Sequence, residues 1–102
     1  MKVLLYEESG TVVLTLLEQD IVVQGHTPAV AFHRLQTAIK SYKVWEETDR
    51  EEGREVREHP PAPLVFWNLY ALSACYDGQA PAEFRVRVWR GQPPFVWGKV
   101  KK

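Results

Sequence analysis

Apolar residues recur at different periods along the chain, and each period implies an element. Residues 2–7 (Lys2-Val3-Leu4-Leu5-Tyr6-Glu7) and 11–17 (Thr11 to Leu17) are dense in β-branched and large apolar side chains, with Glu8-Ser9-Gly10 between them. Gly10 can supply the positive φ of a tight turn, so the pair predicts a β-hairpin. A second polar turn, Glu18-Gln19-Asp20, leads to Ile21-Val22-Val23-Gln24 as a third strand, which completes an antiparallel meander. Both faces of the first two strands carry apolar residues, which implies that at least part of the second face is covered.

The period switches at Gly25-His26-Thr27-Pro28. The Thr27 hydroxyl suits a helix N-cap, and Pro28 suits the first helical position, where its missing N–H has no partner to lose. Apolar residues then recur at Ala31, Leu35, Ala38, Tyr42 and Trp45, with Phe32 and Ile39 widening the stripe. That spacing predicts one face of a long amphipathic helix packed on the meander. His33, Arg34, Gln36, Thr37, Lys40, Ser41 and Lys43 fall largely on its other side. Residues 46–58 hold seven acids, three arginines and one isolated apolar residue, Val56, so this stretch has almost nothing to bury. Pairs such as Glu46–Arg50 can prolong a solvated helix by a few tenths of a kcal/mol each. Gly53 weakens it, and an acidic, proline-rich connector over about 46–63 is expected.

Residues 64–76 are too uniformly apolar for periodicity to separate helix from strand. Pro63 before and Gly78 after favour a short buried helix, while Val65-Phe66-Trp67 and Tyr70 favour a strand. From Phe84 to Arg90 the alternation is strict, with Phe84, Val86 and Val88 on one face and Arg85, Arg87 and Arg90 assigned to the other. The tail, 91–102, is basic and aromatic. The resulting order is β-β-β-α-(α)-β: one α+β domain over residues 1–102, with an antiparallel sheet of the meander plus a C-terminal strand, packed by one long helix.

Composition narrows the chemistry. The chain is 45% hydrophobic and 25% charged, and its 13 basic residues equal its 13 acidic ones, so no global field recruits nucleic acid or a membrane surface. The charge is segregated, however: residues 84–102 carry six basic residues and no acid. A single cysteine, Cys75, cannot form an intramolecular disulfide and reads as a small core residue in a reducing, cytoplasmic setting. No secretory signal opens the chain, and no apolar run approaches the roughly 18 to 20 residues of a membrane span.

The segment Gln24-Gly25-His26-Thr27 followed by Ala31, Leu35, Ala38 and Ile39, together with the preceding hairpin and third strand, resembles the N-terminal domain of HicB-type antitoxins. The resemblance covers Val3 to about Trp45. It implies a partial ribonuclease-H-like fold and a role in neutralising another protein. Glu18-Gln19-Asp20-Ile21 stands where that family usually carries a Pro- and Gly-containing loop. Nothing after residue 60 reads as the family's DNA-binding segment.

Catalytic constellations are absent from the sequence. Two-metal nuclease chemistry needs carboxylates converging from strand ends and a helix. Here the first strand offers only Glu7 and Glu8, the helix has no acid before Glu46, and the last strand has none after Glu83. His26, His33, His59 and Cys75 do not make a zinc set. No catalytic, cofactor-binding or metal-ligating residue is therefore assigned, and no cofactor is expected. Two surfaces remain as candidates. Arg85, Arg87, Trp89, Arg90, Trp97, Lys99 and Lys101 can meet phosphates or a partner, unless the arginines pair with the chain's own acidic connector. His33, Arg34, Lys40 and Lys43 form a helix-face candidate. The expectation is a non-catalytic, homo-oligomeric binding protein acting on another protein, antitoxin-like or a phage-type inhibitor. The alternatives are a small nucleic-acid-binding protein using strand 84–90 and the tail, or a structural assembly subunit.

Overall fold

In the computed structural model, which describes residues 1–53 and 60–91, the chain forms an α+β fold of five strands and two helices. Strand β1 (Lys2–Glu8) turns into β2 (Thr11–Leu16) through Ser9 and Gly10. Both turn residues take positive φ, 54° and 78°. That is the backbone a two-residue hairpin turn needs to match the twist of its strands. β2 then pairs antiparallel with β3 (Ile21–Gly25), completing the meander.

α1 (Pro28–Glu51) starts where the capping signals place it. Thr27 Oγ1 accepts from the Val30 amide at 3.2 Å, and Pro28 occupies the first turn. The strand must come very close to the helix here. A Cβ on Gly25 would lie 2.7 Å from the Ala31 amide nitrogen, so only glycine fits without moving backbone. Ala31, Phe32, Leu35 and Ile39 are buried against the sheet, all in the first half of the helix. Trp45, expected on the packing face, is instead 70% exposed, and Val44 is 57% exposed. The reason is length: 24 residues span about 36 Å at 1.5 Å each, whereas a strand of five or six residues covers about 17–20 Å. The helix overhangs the sheet and ends at Glu51, capped by Glu52, with Gly53 at φ 77° and its amide on the Arg50 carbonyl.

The ambiguous stretch 64–76 is both elements in succession. α2 (Leu64–Leu72) is followed by a two-residue strand β4 (Ala74–Cys75) at the sheet edge. The helix is less buried than expected: only Phe66 is buried, and Leu64, Val65 and Leu72 are exposed. Cys75 is likewise exposed rather than a core residue, because an edge strand of two residues has no layer above it.

β5 (Arg85–Val88) pairs antiparallel with β4 and parallel with β1, so the sheet is mixed, in the order β3-β2-β1-β5-β4. Strands paired in parallel within a sheet are covered on both faces, and β1 meets that condition. Val3 and Leu5 join the cluster under α1 with Phe84 and Val88. Leu4 and Tyr6 join a second cluster under α2 with Val13, Leu17, Ala62 and Phe66. The apolar residues on both faces of β1 and β2 thus reflect two helical layers, one on each side. Ala62 ties the incoming connector to the sheet by donating to the Leu17 carbonyl at 2.8 Å. No helix among the described residues is long and apolar enough to cross a membrane.

Candidate partner-binding surfaces

The parallel register sets Lys2 opposite Arg85 and Leu4 opposite Arg87, which puts both arginines on the α2 side of the sheet. Lys2, Tyr70, Cys75, Arg85, Val86 and Arg87 line an open cleft of about 370 Å³ there. The two arginines do different things. Arg87 is half-buried, and its Nη1 donates to the carbonyls of Ser73 at 3.0 Å and Ala71 at 3.4 Å, around the C-terminal end of α2. Cations are favoured at that end of a helix by roughly 0.3–1 kcal/mol. The same guanidinium lies 5.5 Å from the centre of the Tyr70 ring, and Lys2 Nζ lies over Trp67 and Tyr70 at 5.5 and 5.8 Å. Arg85 is exposed; its backbone carbonyl accepts from the Tyr70 hydroxyl at 2.9 Å. Burial pushes the Tyr70 phenol above its ordinary range, against the opposing pull of Arg87 and then Arg85.

Trp89, named with the arginines from the sequence, is half-buried in the cluster under α2 and anchors the end of β5, donating its amide to the Leu5 carbonyl. Arg90 is exposed beyond the end of β5 and, three residues from Arg87, does not continue the face that Arg85 and Arg87 share. Trp97, Lys99 and Lys101 lie outside the described residues, as does the connector from 54 to 59. Lys2 and Tyr70 were not recognised in the sequence, because their place in the cleft depends on the parallel register and on α2 being a helix. On the other side of the sheet, His33, Arg34, Lys40 and Lys43 are exposed on the outer face of α1. Arg34 Nη1 is engaged at the edge strand, donating to the Gln24 carbonyl at 2.8 Å. The helix-face and β5 candidates therefore form two separate surfaces on opposite faces of the sheet.

A third surface was not legible in the sequence. Between the start of α2 and strands β2 and β3 lies a cleft of about 200 Å³, lined by Tyr6, Thr15, Asp20, Val22, Pro63, Val65 and Phe66. Val22 and Val65 at its rim are 42% and 48% exposed. Thr15 is fully buried, and its Oγ1 has no hydrogen-bond partner. A buried hydroxyl left unpaired costs about 1–3 kcal/mol. Burial, reinforced by Glu8, also pushes the Tyr6 phenol above its usual value near 10, which keeps it protonated at neutral pH. The cleft thus offers an apolar rim with hydroxyl-bearing residues within it. Such a shape accepts an apolar side chain.

Among the described residues no group of three or more His, Cys, Asp and Glu is placed to hold a metal ion. No protein-family model matches the chain, and comparison with curated proteins and with solved structures returns no significant match.

Proposed function

We propose that the chain is a non-catalytic binding protein that occludes another protein, antitoxin-like in the HicB manner, through the cleft between α2 and the β2–β3 edge. One observation carries this reading. Val22 and Val65 leave an apolar rim in solvent around an open cleft whose floor covers the fully buried Thr15. A free monomer gains nothing from that exposed apolar rim, whereas a partner side chain can bury it. The HicB-like part of the reading rests on the sequence resemblance alone, Gln24-Gly25-His26-Thr27 followed by Ala31, Leu35, Ala38 and Ile39.

The nucleic-acid reading rests on the β5 cations and is weaker. Arg87 is committed to the end of α2, and the rings of Trp67 and Tyr70 lie under Lys2 and Arg87. Base stacking needs free aromatic faces.

Val65→Asp puts a charge at the cleft rim without touching the buried core. The variant is expected to keep its circular dichroism spectrum and melting temperature and to lose the protein that co-purifies with the tagged wild-type chain from the native host. Equal recovery of that protein by the folded variant would overturn the assignment of the cleft.

A further inference from the structure

The chain is neutral overall, yet its charges are separated between two places that the fold keeps apart. Glu46, Glu47 and Glu51 lie on the overhanging half of α1, the same half that leaves Val44 and Trp45 in solvent. Lys2, Arg85 and Arg87 line the α2-side cleft, and among the described residues the carboxylate of Glu18 stands at its edge, on the Lys2 backbone amide, rather than in its lining. Leu72, 76% exposed, sits beside that cleft, between the Ala71 and Ser73 carbonyls that hold Arg87.

Each surface lacks what the other has. The helix end presents a large aromatic side chain and an aliphatic one beside acids; the cleft presents cations beside a bare leucine. Opposite potentials steer encounter and fix register, and a buried aromatic anchor supplies most of the affinity. The sheet stands between the two, since α1 packs on one face and α2 with the cleft on the other. A chain therefore does not bring its own Glu46 and Glu47 to its own Arg85. Among the described residues, an acidic and aromatic surface that fits the cleft is offered by another molecule of the same chain.

We propose that the acidic, tryptophan-bearing end of α1 of one copy docks in the Lys2–Arg85–Arg87 cleft of a second copy. Arg87 is already oriented by the end of α2, so little ordering remains for it on binding; Arg85 and Lys2 are the cations that meet the incoming carboxylates. Trp45 packs on Leu72. Glu18, whose carboxylate receives the Lys2 backbone amide at 3.0 and 3.1 Å, closes one side of the site and disfavours a longer polyanion running through it. The contact uses surfaces distinct from the β2–β3 cleft and stands or falls separately from the partner bound there.

Sedimentation velocity on the purified full-length chain tests this with a charge-exchange design. The wild type is expected to self-associate, more weakly in high salt because the contact is ionic at its rim. Arg85→Glu alone and the double variant Glu46→Lys with Glu47→Lys alone are each expected to associate at least about tenfold more weakly, with unchanged circular dichroism. Mixed together, these two variants bring the lysines introduced at 46 and 47 to the carboxylate introduced at 85 and are expected to recover association. A wild type that stays monomeric at the highest attainable concentration would overturn the proposal. So would folded single-type variants that associate like the wild type, or a mixture that stays monomeric. Tight binding of a dT10 oligonucleotide that is lost in Arg85→Glu, with no self-association, would assign the cleft to nucleic acid instead.

Discussion

Arg85 and Arg87 are two residues apart on the same side of one strand, and their environments give them different roles. Arg87 is held by two carbonyls and a tyrosine ring and belongs to the structure of α2, while Arg85 is presented to solvent. The alternation of β5 was plain in the sequence, but alternation reports only which side of a sheet a residue takes. It does not report whether a helix lies over that side. Thr15 shows the same limit from the other direction. Threonine is at home in a strand, and nothing in Val13-Leu14-Thr15-Leu16 marks its hydroxyl as unpaired. Its removal should help the free protein. Thr15→Val is nearly isosteric and is expected to raise stability in urea unfolding by about 1–2 kcal/mol, since it deletes an unsatisfied buried polar atom. A loss of stability instead would mean that the hydroxyl is satisfied within the fold.

Among the elements, the hairpin and the start of α1 were legible because local chemistry dictates them: positive φ at Gly10, a Thr cap, a proline in the first turn. The motif glycine also has a local cause. Gly25 takes an ordinary φ and is required by contact, with the Ala31 backbone filling the space a side chain needs. Gly25→Ala is expected to lower the unfolding free energy by about 1–3 kcal/mol, the usual cost of overpacking against backbone. Ala at exposed, unstrained positions should change it little, and thermal melts of the two kinds of variant compare them directly. What failed at this scale was the far half of α1 and the burial of α2. Periodicity showed that Trp45 shares a face with Leu35. It carried no information on where the sheet beneath that face ends.

For the whole molecule, the α+β class and the meander were readable, and so was the hint that β1 and β2 are covered twice. The parallel pairing of β5 with β1 was not, because it joins residues 2–5 to residues 85–88 through a register set by the entire intervening chain. That register creates the cationic cleft, and the docking of α2 across the sheet creates the cleft above Thr15. Both proposed surfaces are therefore products of tertiary structure, and the sequence supplied only some of the residues in the first. In the proposed picture one of these surfaces meets a partner protein and the other a second copy of the chain.

The central claim is that the cleft between α2 and the β2–β3 edge holds another protein. Its most direct test is site-specific photo-crosslinking in the native host, with a benzophenone amino acid at position 65 on the cleft rim and, as control, at the exposed Gln79. One discrete adduct of defined mass is expected from position 65, lost when Val22→Asp is added at the opposite rim and absent from position 79. The same adducts from both positions, or none from position 65, would contradict it.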